Sequence, residues 1–256
     1  KKAELESWVE TFMKSHTELL GIPMEQSTKL LPAKDYSLEG LNIHGDISLE
    51  DIITSGRNFQ KGDSINEVDR PRMNILLHGA PGTGKTEFVK YLGNLLNTKV
   101  VVKMGSDLLN CFVGGTEHMI KNAFEQAEKE HSILFLDEID GMLGSREKAI
   151  RSWEVTQVNE LLHQMENFNG IMIGSTNFLA NLDQAVARRF TFKLHFDFLT
   201  DEGKILFFER MFKTRLTDDE KRELARIQNL APGDFRTVRQ SLYYLGASVD
   251  NKKRLA

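Results

Sequence analysis

Apolar positions along this chain fall into groups whose spacing changes twice. Between residues 3 and 20, Leu5, Val9, Phe12 and Leu19 recur near helical spacing, which predicts an amphipathic helix. Residues 21–70 carry the Gly, Pro, Asn and Asp punctuation of a connecting region. Within it, Ser48–Phe59 predicts a short helix capped by Ser48, with Asp51 in its first turn. From Arg72 onward, short apolar runs alternate with longer amphipathic stretches. The runs are MNILL (73–77), KVVVKM (99–104), SILFL (132–136), GIMIGS (170–175) and TFKLHF (191–196), separated by helical patterns over 85–96, 116–130 and 152–168. Buried runs of this length, joined by helical crossovers, imply an α/β fold: a five-stranded parallel sheet with helices on both faces. After Leu199 no strand run remains, and 201–213, 217–229 and 234–248 read as helices of a small all-helical domain. The expected organisation is a helix and linker over 1–70, an α/β domain over 71–199 and a helical domain over 200–256.

Composition narrows the class of molecule. With 40% hydrophobic and 27% charged residues, the 256-residue chain has ordinary globular usage and enough apolar side chains for a sizeable core. A formal net charge of −4 offers no global electrostatic reason to bind nucleic acid. The single cysteine, Cys111, excludes an internal disulfide and fits a reducing compartment, so a cytoplasmic location is expected. None of the seven histidines is paired at metal-ligand spacing, so no zinc site is expected. No apolar run approaches the roughly 18 residues needed to span a bilayer, and any membrane anchor would have to lie outside these residues.

The chemistry concentrates where the first long run ends. Residues 79–86 read Gly79-Ala80-Pro81-Gly82-Thr83-Gly84-Lys85-Thr86, a full match to G-x-x-x-x-G-K-[ST], placed between a predicted strand and a predicted helix that continues with Glu87. That junction is what phosphate binding requires. Glycines let consecutive backbone N–H groups curl around an anion, and the helix N-terminus adds its positive dipole end. Lys85 is placed to reach the β- and γ-phosphates of ATP, and the Thr86 hydroxyl to ligate Mg²⁺. Gly79 to Glu87 are therefore the expected nucleotide-binding set. A Gly-rich turn with a chance Lys-Thr is the bland alternative.

A second candidate lies at 133–138, ILFLDE, an apolar strand ending in Asp137-Glu138. Carboxylates at the C-terminal end of a central parallel strand lie where ligands bind in such sheets. Asp137 is placed to hold the metal shell and Glu138 to polarise an attacking water as a general base. Acidic residues also favour helix starts, so a solvated helix N-terminus is the competing account.

GAPGTGKT, ILFLDEID, GIMIGSTN and AVARRF, in this order and spacing, resemble the AAA+ ATPase family, in particular its substrate-remodelling branch, over roughly residues 36–248. The resemblance implies a large nucleotide-binding domain followed by a helical lid, and ATP with Mg²⁺ as the substrate and its metal. It implies Asn177 at the sensor position that positions the attacking water. Arg188 and Arg189 stand where the family places arginine fingers that reach the nucleotide of a neighbouring subunit. The family's two arginines are usually separated by Pro-Gly and here they are adjacent, which leaves open which one serves; Arg189 directly precedes Phe190 and is favoured. Arg236, in APGDFR, matches a lid arginine that touches nucleotide in cis, with Arg239 as runner-up. Phe112 and Val113, in CFVGG, resemble the pore loop that grips an unfolded polypeptide; packing of Phe112 in the core is the alternative. LEGLNI (38–43) occupies the place of the linker that lies against adenine.

The function that the resemblance implies is an ATP-driven remodelling or unfolding motor, a homo-oligomeric ring, hexameric in line with the family, acting on a polypeptide. Two other readings stand beside it. One is the ATPase part of an ATP-dependent metalloprotease whose protease domain lies outside this chain, which contains no His-Glu-x-x-His. The other is a nucleotide-switched DNA loader, which the net charge and the missing DNA-reading motif disfavour.

Overall fold

The computed structural model describes residues 37–61, 72–109, 115–141 and 152–245. The helix expected over 3–20 and the Phe112-Val113 loop lie outside these residues. In chain order the elements are β1 (Asn42–Gly45), α1 (Leu49–Lys61), β2 (Met73–His78), α2 (Lys85–Leu95), β3 (Val100–Met104), α3 (Gly105–Leu108) and α4 (Gly115–Lys129). They continue through β4 (Ile133–Asp137), α5 (Ser152–Asn167), β5 (Ile171–Thr176), α6 (Gln184–Arg188), β6 (Phe192–Asp197), α7 (Asp201–Phe212), α8 (Asp218–Arg226) and α9 (Pro232–Leu245).

Among the described residues the strands form one six-stranded sheet, ordered β1-β6-β2-β5-β4-β3. β2 to β6 run parallel to one another, as the crossovers predict, but β1 pairs antiparallel with β6, Asn42 opposite Asp197. The expected clean five-stranded parallel sheet is therefore corrected to a mixed one with an extra edge strand. β1 is four residues long inside a stretch rich in turn residues, so it offers no apolar run to read.

Burial explains the run types. β2, β4 and β5 are central and buried on both faces, so their sequences are mostly apolar rather than alternating. β6 alternates: Leu194 and Phe196 are buried, while Lys193 and His195 on the opposite face are only half-buried. One core packs α4, α5 and α6 against the sheet around Phe124, Leu161, Leu136 and Met172. The other packs α1 and α2 on the opposite face around Ile52, Phe88, Leu92 and Ile173. Two packed faces make a three-layer unit.

α7, α8 and α9 gather round Phe208, Phe212, Leu224 and Phe235 as a separate small core. Thr217 caps α8 by a capping box with Glu220, and Pro232 opens α9 at a position where a missing N–H costs nothing. Two of this helical unit's contacts with the sheet domain involve glycines. Gly40, just before β1, packs against Leu206 and Phe207 of α7. At the start of α9, the Gly233 N–H donates to the Gly82 carbonyl at 2.9 Å.

Candidate active site

The site forms where the parallel strands end. β2 delivers the chain into residues 79–84, and α2 departs from Gly84. Gly79 lies so close to β6 that a Cβ there would stand 2.0 Å from the Phe196 carbonyl oxygen, so no side chain fits. Gly84, the residue before α2, has φ 102, a left-handed conformation that other residues rarely adopt. Thr83 is buried and ties the loop to itself by donating to the Ala80 carbonyl at 2.8 Å. Phe88, one turn beyond Lys85, meets Phe196 edge-on with ring centroids 5.5 Å apart. Such a pair contributes about 0.5–1.5 kcal/mol beyond its area and fixes the start of α2 on the sheet.

Lys85 reaches back into the loop. Its ammonium donates to the carbonyls of Gly79 at 2.7 Å and Ala80 at 2.8 Å. Burial lowers its pKa, while Asp137, Asp140 and Glu138 pull it back up. A cation held inside a curled loop at a desolvation cost is a cation that a phosphate anion would relieve. His78, the last residue of β2, stacks on His195 at 4.8 Å between centroids. Its pKa is lowered, first by burial and then by His195, Lys85 and Lys193, with only Asp46 opposing, so the strand enters the loop through an uncharged imidazole at neutral pH.

Asp137 and Glu138 are adjacent in sequence and live in different surroundings. Asp137, 8% exposed, closes β4 and faces α2, where the Thr86 hydroxyl donates to its Oδ2 at 2.9 Å. The Ser175 hydroxyl, from the end of β5, donates to the other oxygen, Oδ1. At Glu138 the chain turns through φ 55, which swings that side chain into solvent. Its N–H is held by Ser175 Oγ at 3.1 Å. One carboxylate is thus buried and fully bonded, the next exposed. Asn177 follows β5, half-buried, and its N–H donates to Asp140 Oδ1 at 3.3 Å. Lys85, Thr86, Asp137, Glu138, Ser175 and Asn177 therefore share one end of the sheet. Thr86 and Asp137 offer the hard oxygen donors that Mg²⁺ prefers, so the residues fit that ion.

The arginine pair lies elsewhere. Asp183 caps α6, its carboxylate accepting from the N–H groups of Ala185 at 2.8 Å and Val186 at 3.3 Å. Phe190 is buried against Gly174. These anchors leave Arg188 and Arg189 exposed at the start of β6, where Asn74, near the start of β2, donates to the Arg189 carbonyl at 3.1 Å. The phosphate loop begins at the far end of that strand, about 13 Å away at the strand rise. An open hollow of about 490 Å³ accompanies the pair, lined by Arg72, Asn74, Glu166, Asn167 and both arginines. Arg189 pairs with Glu166 at 2.5 Å with its side chain 47% exposed. An ion pair this exposed is worth about 0–1 kcal/mol and is readily exchanged.

Arg236, in the first turns of α9, points to the other end of the sheet and lies 3.6 Å from Glu87, which also pairs with Lys90. Arg239 is exposed one turn on. Ser175 was not among the residues expected from sequence; its place beside Asp137 depends on the β4–β5 register, in which Leu136 lies opposite Gly174. Among the described residues no helix is long and apolar enough to cross a membrane, and no group of three His, Cys, Asp or Glu side chains is placed to hold a metal ion.

Comparison with known proteins bears on the family. The family described as ATPase family associated with various cellular activities (AAA) matches residues 75–198. A putative 26S proteasome regulatory subunit homolog of Methanothermobacter thermautotrophicus is 34% identical over 147 residues, 55% of this chain and 40% of that protein. Proteasome-activating nucleotidase 1 of Haloferax volcanii is 30% identical over 218 residues, 75% of this chain and 54% of its own length. Vacuolar protein sorting-associated protein 4B of Pongo abelii is 32% identical over 166 residues, 61% of this chain and 37% of its own. In each case the chain spans well under two thirds of the relative.

Proposed function

Since the chain belongs to the AAA+ ATPase family and carries its ATPase domain, we propose that it is an ATP-driven motor that remodels or unfolds a polypeptide from within a ring of like subunits. The observation that carries the catalytic part is the convergence of Lys85, Thr86, Asp137 and Glu138 at one end of the sheet. In this reading the backbone of Gly79–Gly84 and the Lys85 ammonium cradle the phosphates, and the adenine lies against the segment 38–43. Thr86 and Asp137 hold Mg²⁺, which when bound neutralises charge developing on the phosphate oxygens. Glu138 takes the proton of the attacking water, Asn177 orients that water, and Arg236 approaches from the lid. The relatives named as proteasome regulatory and vacuolar sorting proteins favour a polypeptide substrate over DNA.

The ring is supported by the place of the arginines. Arg188 and Arg189 sit at the opposite end of the sheet from their own phosphate loop, so in this reading they serve a neighbour's nucleotide. Arg189→Ala protomers are expected to lose about a thousandfold in turnover, the low end of what such a finger supplies, and Lys85→Ala protomers to fail at nucleotide binding. Mixed together they should regain activity, because a protomer with an intact loop then sits beside one with an intact arginine. No rescue on mixing, with turnover independent of protein concentration, would refute the trans role.

The polypeptide part is tested at Phe112. Phe112→Ala is expected to leave basal hydrolysis nearly intact and to abolish stimulation by an unfolded polypeptide. If Phe112 instead fills a core, its truncation costs about 3–5 kcal/mol, and thermal melts of the same variant would show a large drop. That drop would overturn the gripping role.

A further inference from the structure

We infer that Ser175 is a positioning residue for ATP hydrolysis, its hydroxyl fixing both the carboxylate that faces the metal position and the turn that presents the general base. The inference rests on reading this site as the hydrolytic centre. Ser175, the penultimate residue of β5, has 0% exposure and lies beside Asp137 at the end of β4. A hydroxyl has one proton to donate and two lone pairs to accept with. Ser175 uses them in opposite directions. It donates to Asp137 Oδ1 in a charge-assisted hydrogen bond, and it accepts from the Glu138 N–H at 3.1 Å.

The two bonds have separate consequences. Asp137 is a buried carboxylate with two oxygens to satisfy. With Oδ1 taken by Ser175, Oδ2 is the oxygen that faces Thr86 at 2.9 Å, on the side where both would meet Mg²⁺. Without the hydroxyl, Oδ1 loses its partner and the carboxylate is held by the Thr86 hydroxyl alone, so its aim toward the metal position is less firmly fixed. The second bond acts on the main chain. Glu138 has left the strand at φ 55, a conformation unfavourable for a residue with a side chain. The Ser175 oxygen takes up the N–H that this turn removes from the ladder, and so stabilises the backbone from which Glu138 points to solvent. Metal-binding carboxylates are commonly tuned by such outer partners, whose loss costs about 10–100-fold in metal affinity or activity.

The test uses the whole chain, with Ser175→Ala and Ser175→Thr beside the parent. A fluorescent ATP analogue is titrated first in EDTA and then at rising Mg²⁺, and turnover and thermal melts are recorded on the same samples. For Ser175→Ala the metal-free affinity should stay within about twofold, while the Mg²⁺ concentration giving half of the metal-dependent tightening rises about tenfold and kcat falls about tenfold with KM little changed. Ser175→Thr, which keeps the hydroxyl, should restore the midpoint. A purely structural role would shrink the binding amplitude with the folded fraction and leave the midpoint in place. An unshifted midpoint in Ser175→Ala, or the same shift in the alanine and threonine variants, overturns the proposal. Should Ser175→Ala not fold, the near-isosteric Ser175→Cys, a weak donor, is expected to show the midpoint shift, and its absence there is equally decisive. A parent chain with no metal-dependent tightening would overturn the hydrolytic reading itself, and the proposal with it.

Discussion

Lys85→Ala is expected to remove measurable ATP binding. The Lys85 ammonium is the side-chain cation at the centre of the loop, held by the carbonyls of Gly79 and Ala80. Its pKa is lowered chiefly by burial, so it has already given up much of its water. Truncating one partner of a desolvated, hydrogen-bonded charge pair costs about 2–5 kcal/mol, and 3 kcal/mol is already about a hundredfold in affinity. The loop also loses two internal hydrogen bonds, so the variant should melt slightly lower. Titration with a fluorescent ATP analogue reads the main effect, with the melt as a control for folding. Affinity unchanged in a folded Lys85→Ala variant would sink the phosphate-loop assignment.

Glu138→Gln separates binding from chemistry. The amide keeps the length and shape of the side chain, and the turn at φ 55 is a main-chain property that the change leaves alone. What is lost is a carboxylate able to take a proton from water. General-base catalysis contributes about 10²–10⁴-fold, so kcat should fall by that order while nucleotide affinity stays near the parent value. The contrast with its neighbour sharpens the expectation. Asp137 is buried with both oxygens engaged by Thr86 and Ser175, so its replacement by Asn should disturb Mg²⁺-dependent binding before chemistry. Single-turnover hydrolysis by Glu138→Gln at near-parental rate would mean that another group activates the water.

Much of the fold is legible in the sequence because its signals are local. Mostly apolar runs marked β2, β4 and β5, which are buried on both faces. Among the described residues the expected helices lie within a few residues of those found, and the differences are at ends set by particular contacts: α8 stops at Arg226 because Ile227 turns to extended geometry at ψ 115, short of the expected residue 229. β1 escaped notice because an edge strand of four residues gains its identity from a partner far along the chain. The site divides in the same way. Lys85 and Thr86 are legible since strand, loop and helix are consecutive. Ser175 was invisible, because a serine in an apolar run acquires a role only when the register of β4 and β5 sets it beside Asp137. Arg236 reaches Glu87 through the docking of α9, which spacing along the chain cannot supply.

The sheet order has a consequence for how the protein is made. β2, the strand that carries the phosphate loop, lies between β5 and β6, both of which leave the ribosome long after it. β1 waits longer still, since its partner in the sheet is β6. A chain emerging from its N-terminus therefore exposes MNILLH as an unpaired apolar strand until residues 171–176 appear, and leaves one edge open until 192–197 follow. Such an edge is a template for wrong pairing, and non-local pairings of this kind form slowly. Truncation products ending before residue 192 are accordingly expected to aggregate even though they contain the whole phosphate loop, Asp137 and Glu138. Lys85, Asp137 and Glu138 can all be present, and the chain still has to reach residues 192–197 before any of them is in place.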